Sequence, residues 1–168
     1  TQLRYWKNKL LDAPILELPT DFTRPRQTTH HGNIVSFILD EMQTDEIREL
    51  SKYHNTSVFI LILSCFAYLL RRYSNQTDFC IGTPVSGRQR KELEPVIGCF
   101  INLLAIRFNP EQATSFNDFI VYTRDSMMEA LEHQDIPFEI VAEECTSIRS
   151  LAHTPVFQVL FTHQRKQM

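Results

Sequence analysis

Residues Cys99 to Phe108 read Cys-Phe-Ile-Asn-Leu-Leu-Ala-Ile-Arg-Phe, a run that is apolar on both parities. Phe100, Asn102, Leu104, Ile106 and Phe108 share one parity, and Ile101, Leu103, Ala105 and Arg107 the other. Successive side chains of a β-strand point to opposite faces, so a strand with this pattern has to be covered on both sides. A long central strand over Cys99–Phe108 is therefore expected. Asn102 is out of place in it, because a buried amide without partners costs about 1–3 kcal/mol. Two readings fit: a core amide whose bonds are met inside the fold, or a donor facing a pocket.

The remaining pattern supplies the layers around that strand. Residues 1–12 read as a helix, after which Pro14, Pro19 and Pro25 force an extended strap through Leu16–Asp21. The β-branched and aromatic run Asn33–Leu39 predicts a strand. Thr44 then caps a helix with Ile47, Leu50 and Tyr53 on one face. Val58 to Leu70 is interrupted only by Ser64 and ends at Arg71-Arg72. It falls short of the roughly 20 apolar residues a membrane span needs and reads as a helix buried on nearly all sides.

A short strand, Phe79–Ile81, leads into a Gly- and Pro-containing loop, Gly82–Arg88. Ser115-Phe116-Asn117-Asp118 fits a capping box for a helix ending near His133. Pro137 opens another helix to about Glu144, and Val156–Phe161 predicts a last strand. The order is α-β-α-α-β-β-α-α-β, as in a layered α/β fold with a mixed sheet flanked by helices.

Composition narrows the function. The 168 residues, enough for one domain with its own core, are 43 % apolar and 22 % charged with only four Gly, as in a globular protein. A net charge of −3 gives no overall attraction to phosphate backbones or anionic lipid, so neither nucleic acid nor membrane is an expected partner. Cys65, Cys80, Cys99 and Cys145 form no Cys-x-x-Cys pair and read as buried, reduced thiols of a cytoplasmic protein. Arg4, Lys7, Lys9 and Asp12 rule out a signal peptide over residues 1–12, and without an initiator Met the chain is expected to begin mid-protein.

Familiar catalytic patterns fail on chemistry. Gly82 to Arg88 has glycines five apart after a strand, but Arg88-Gln89 stand where a phosphate-binding loop requires Lys and Ser or Thr. Pro84 occupies the position at which a serine-hydrolase elbow requires Gly before Ser86. His30-His31 lies in a polar lead into a strand and reads as an exposed pair. No histidine and carboxylate spacing suits a metal. His133-Gln134-Asp135-Ile136-Pro137-Phe138-Glu139 concentrates polar groups at a helix restart, and chemistry alone reads it as a capped junction.

Taken together, the segments resemble the condensation domain of nonribosomal peptide synthetases over essentially the whole chain. Tyr5-Trp6-Lys7, Leu16-Glu17-Leu18-Pro19-Thr20-Asp21 and Arg24-Pro25-Arg26 are similar to the opening of that domain's second half. Ile81 to Arg88 resembles its floor-loop region, and Ile97-Gly98-Cys99-Phe100-Ile101-Asn102 through Arg107 its fifth core motif, with Leu103 in place of the usual Thr. His133 to Glu139 matches the sixth. Thr154-Pro155-Val156-Phe157-Gln158-Val159 is a looser seventh, with Ile148-Arg149-Ser150-Leu151 where Arg-Asp usually starts it.

The resemblance implies one lobe of a two-lobed, chloramphenicol-acetyltransferase-like fold. Residues 1–168 would be the C-terminal lobe, with the N-terminal lobe, which carries the family's His-His-x-x-x-Asp-Gly motif, absent. His30-His31 is not that motif, since Val35 and Ser36 stand at its Asp and Gly positions. Asn102, His133 and Gln134 are then expected to line the active-site tunnel. Gly82, Thr83, Pro84, Val85, Ser86, Gly87 and Arg88 are expected to form a floor loop bridging to the other lobe.

No catalytic residue or metal is assigned to this half, and no cofactor is expected to bind it directly. Phosphopantetheine would be carried by donor and acceptor carrier proteins, with an adenylation domain adjacent. The implied activity is peptide-bond formation between carrier-bound thioesters, which the Phe-Ile-Asn pattern favours over epimerisation or heterocyclisation. The fragment alone is expected to be inactive. The alternatives are a coenzyme-A-dependent acyltransferase of the same superfamily, or a non-catalytic platform for carrier or adenylation domains.

Overall fold

The computed structural model describes residues 2–27, 29, 31–110, 113–145 and 152–164. Its elements are α1 (Gln2–Leu10), α2 (Glu41–Tyr53), α3 (Val58–Ser74), β1 (Phe79–Val85), a 3-10 turn at Lys91–Leu93, β2 (Asn102–Phe108), α4 (Phe116–Glu132) and α5 (Phe138–Cys145). Three helices start on side-chain caps. Asp40 accepts from the Gln43 N–H at 2.7 Å, Ser57 from Ile60 at 3.2 Å and Ser115 from Asp118 at 3.2 Å. α2 thus starts at Asp40 rather than Thr44. The Gln43 side chain completes a capping box there, while the Thr44 hydroxyl donates back to the Asp40 carbonyl.

β1 and β2 pair antiparallel from Phe79 opposite Phe108 to Val85 opposite Asn102. On its other side β1 meets Leu160 in a parallel bridge at Gly82. There the Gly82 N–H donates to Val159 (2.9 Å) and its carbonyl accepts from Phe161 (2.8 Å). Several boundaries therefore move. The floor-loop segment Gly82–Val85 belongs to the strand, which absorbs Pro84 because alternate residues share a side. Pro84, like Gly82, directs its backbone nitrogen away from β2, where no ladder donor is needed. β2 begins at Asn102 rather than Cys99. The flanked strand is β1, and β2 is an edge among the described residues, its apolar faces covered by helices instead.

The predicted strand Val156–Phe161 shrinks to the single bridge at Leu160, because Val156 adopts a left-handed φ of 67° that an extended run cannot contain. Asn33–Leu39 forms no strand. Among the described residues it has no neighbour to pair with, and Ile34, Val35, Phe37 and Ile38 are 82–93 % exposed. α3 buries Ile60, Leu61, Leu63, Ser64, Ala67 and Leu70 but leaves Cys65, Tyr68 and Leu69 outside, so it is buried on one side rather than nearly all. No single helix is long and apolar enough to cross a membrane. His31 is exposed, while His30 and Ile148–Leu151 lie outside the described residues.

The core forms where α3 and α4 pack on the strand pair. Phe79, Phe108 and Phe119 stack in sequence, with centroids 5.6 and 5.9 Å apart. Trp6 and Leu10 of α1 and Leu16 of the strap close the other side. Arg107, the charge in the apolar strand, makes two bonds to Asp78 (2.8 and 2.6 Å) and donates to the carbonyls of Lys9 (3.0 Å) and Leu11 (2.8 Å). It thereby fixes the end of α1 to the sheet. The Asp78 hydrogen bond outweighs partial burial and raises the guanidinium's proton affinity further.

All four cysteines are free, but only Cys80 is buried, since Cys65 and Cys99 are exposed and Cys145 is intermediate. Burial pushes the Cys80 thiol up to about 12, so at neutral pH it stays protonated and unreactive. Iodoacetamide at pH 8 is expected to label Cys99 in the folded protein and Cys80 only after denaturation, read by peptide mass mapping.

Gly82 is required by packing, since a Cβ there would lie inside the van der Waals envelope of the buried Phe157 ring. Gly82→Ala is expected to cost about 1–3 kcal/mol in urea unfolding, as overpacking does. Part of the loss should return in Gly82→Ala/Phe157→Leu.

Candidate functional site

The residues singled out at the sequence level converge where β2 begins. Asn102 opens β2 opposite Val85, so the end of the Gly82–Val85 segment lies beside it. Its amide reaches across to the junction between α4 and α5. Nδ2 donates to the carbonyls of Gln134 and Ile136, both at 2.8 Å. Oδ1 accepts from the N–H of Phe138 at 3.0 Å and of Leu103 at 2.9 Å. Two donors and two acceptor sites are all that an amide has. Asn102 is therefore a saturated structural amide, with no hydrogen-bonding capacity left for a ligand.

His133 is the C-cap of α4. Its ring stacks on Tyr5 of α1 at 3.8 Å and 11°. Its Nδ1 lies 2.8 Å from the Glu129 carbonyl, which only accepts, so Nδ1 carries the proton of that bond. The His133 carbonyl accepts from the Trp6 indole N–H at 2.8 Å. Gln134 turns its side chain back onto the Leu131 carbonyl, also at 2.8 Å. Tyr5 is additionally held by Glu129, and burial together with that carboxylate raises its phenol well above the usual range.

Beyond β1 the chain turns at Gly87, whose φ of +64° and contact with the Phe100 carbonyl leave no room for a side chain. Arg88 then closes the loop on itself. Its guanidinium donates to the carbonyls of Leu93 and Gly98 and lies 4.4 Å from the Phe100 ring centroid. Only Ser86, Gly87 and Arg88 of the expected floor loop are loop residues, and Thr83 is buried within β1.

The structure thus brings together Asn102, His133, Gln134 and Val85 at one end of the strand pair, and places Gly82–Pro84 inside it. Trp6 and Tyr5 were not among the expected site residues. Their signal was an aromatic pair on a short helix rich in polar residues, which needs a partner to cover it. Among the described residues no His, Cys, Asp and Glu cluster is arranged to hold a metal. Chemically the assembly is a group of fixed dipoles, in which Asn102 is saturated and the His133 and Gln134 side chains are each held on a backbone carbonyl.

Asn102→Asp tests the saturated amide, because it keeps the shape but turns the donor into an acceptor facing two carbonyls. It is expected to lower stability by about 2 kcal/mol or more, the scale of a buried group left unsatisfied, in urea titrations of the folded protein.

The family model described as Condensation domain matches residues 1–168. One of the linear gramicidin synthase proteins of Brevibacillus parabrevis is 42 % identical over 168 residues, 99 % of this chain and 2 % of that protein. A four-domain nonribosomal peptide synthetase, holo-AB3403 bound to AMP and glycine, superposes with a TM-score of 0.88 at 29 % identity, over 95 % of this chain and 12 % of that one. The X-domain in its complex with OxyB from teicoplanin biosynthesis gives 0.86 at 28 % identity, over 95 % and 35 %. The chain spans only a small part of each relative.

Proposed function

Because the chain belongs to the condensation-domain family, with its mixed α/β, chloramphenicol-acetyltransferase-like fold, we propose that it is the C-terminal lobe of a domain forming peptide bonds in a nonribosomal peptide synthetase. The substrates are an upstream aminoacyl or peptidyl thioester and a downstream aminoacyl thioester, each carried on phosphopantetheine by its own carrier protein. The downstream amine attacks the thioester carbonyl, a C–N bond forms, the C–S bond breaks, and the amine proton ends on the departing thiol.

The observation that carries this reading is the union of the fifth-motif and sixth-motif segments through one saturated amide, Asn102. Such a reaction needs two large carrier-bound substrates held within reach, together with polar groups that do not reorganise. A wall fixed by directional bonds suits that task. Asn102, His133 and Gln134 are assigned to the tunnel wall, where Asn102 acts by holding the junction. Ser86, Gly87 and Arg88 are assigned to the bridge toward the N-terminal lobe, which supplies the base. The other partners are the two carrier proteins and a neighbouring adenylation domain. Four free cysteines suit a reducing, cytoplasmic setting.

A non-catalytic platform is the second reading, supported by the likeness to an X-domain solved in complex with OxyB. The two readings separate in one assay. The intact protein, given two loaded carrier proteins, is expected to transfer the donor acyl group and yield the amide, detected by mass spectrometry of the released thioesters. Residues 1–168 alone are expected to yield none. Carrier binding without transfer by the intact protein would favour the platform, and transfer by the 168 residues alone would refute the division of labour between lobes.

A further inference from the structure

Asp135 lies within the sixth-motif segment His133–Glu139 and was assigned no role by the sequence. Its carboxylate accepts from two side-chain amides on different elements, Gln2 Nε2 of α1 at 2.6 Å and Gln89 Nε2 of the loop after β1 at 2.9 Å. Each donor has its own oxygen, Oδ2 and Oδ1 respectively. The Asp135 N–H in turn donates to Gln2 Oε1 at 3.1 Å. Gln2 is therefore fixed to Asp135 at two points, and the second carboxylate oxygen is left to the loop.

That loop has its own integrity. Arg88 clamps it through Leu93, Gly98 and the Phe100 ring, and the N–H groups of Leu93, Glu94 and Val96 bond to carbonyls within it. Among the described residues, the one hydrogen bond that leaves residues 86–98 for another element is Gln89 to Asp135. Asp135 is itself flanked by Gln134 and Ile136, whose carbonyls are held by Asn102. Among the described residues, one carboxylate thus makes the hydrogen bond that joins this closed loop to the junction fixed on β2.

We propose that Asp135 is a positioning residue that sets the loop 86–98 against the Asn102-held junction. Resting on the condensation reading above, it thereby fixes the width of the substrate path between them. The residue type follows from the donors. Two converging NH₂ groups need two acceptor oxygens, which a carboxylate offers and an amide of the same shape does not. In Asp135→Ala both acceptor oxygens are gone, and the loop loses its tether while the backbone of the junction stays held by Asn102.

The test uses the intact protein and a charge-transposed pair. Asp135→Ala removes both acceptors, and Gln89→Glu alone sets two carboxylates against each other. In Asp135→Asn/Gln89→Glu the new Glu accepts from the new Asn, whose own oxygen still serves Gln2. Hydrogen exchange of the 86–98 peptide is expected to quicken by about threefold or more in each single variant, as one lost hydrogen bond permits, and to return toward wild type in the double. The melting temperature should stay unchanged throughout.

Turnover with loaded carrier proteins is expected to follow loop exchange, falling about fivefold in Asp135→Ala and recovering in the double variant, the scale of misplaced reactants. Unchanged loop exchange in Asp135→Ala, or a double variant no closer to wild type than the singles, would overturn the tether. A loosened loop with normal turnover would overturn the positioning role. An intact protein that makes no amide would instead reject the condensation reading, and the exchange measurements would still decide the tether.

Discussion

The side-chain amide of Asn102 is the bond set on which this end of the fold depends. It replaces the partners that the carbonyls of Gln134 and Ile136 and the N–H of Phe138 lose where α4 stops and α5 has not yet begun. Helix ends leave backbone groups without intrahelical partners, and a junction between two helices has two such ends within a few residues. A single strand residue satisfies them here. The arrangement explains why a polar side chain is placed in an apolar strand. It also fixes the junction to the sheet by direction as well as by contact, since a hydrophobic residue at 102 would fill the space and leave three half-buried backbone groups without these partners.

α1 completes the frame from the opposite side. Arg107 holds its last carbonyls to the sheet, Trp6 donates to His133, and Tyr5 stacks on the His133 ring. The same helix thus reads both the end of β2 and the end of α4. The exposed ion pairs of this region, Lys9–Glu129 and Lys7–Glu144, add little by comparison, because solvent screens them. The neutral, directional contacts of Trp6 and Asn102 set the geometry.

The parts of this fold that were legible in the sequence are those decided by local chemistry. The Ser115 capping box, the α4 periodicity and the helix restart after Pro137 stand where short-range rules place them. The anomaly at Asn102 was also visible, but its resolution was not, because its partners lie 32–36 residues away and no spacing rule points to them. Thr44 was expected to cap α2, but Asp40 does, with Gln43 completing its capping box. Gly82 and Pro84 looked like loop punctuation. Their actual reasons are the Phe157 ring against one and the unpaired side of β1 at the other, both tertiary facts.

Asn33–Leu39 shows the same limit from the other direction. Its β-branched and aromatic side chains have the propensity for a strand, yet propensity does not supply a neighbour, and a lone strand leaves its backbone groups to solvent. Leaving four such side chains exposed forgoes roughly 1.5–3 kcal/mol apiece. A chain that buries Phe79, Phe108 and Phe119 completely while leaving Phe37 outside has settled its own core. On the condensation reading its remaining apolar surface, and the polar groups gathered around Asn102, face a larger assembly.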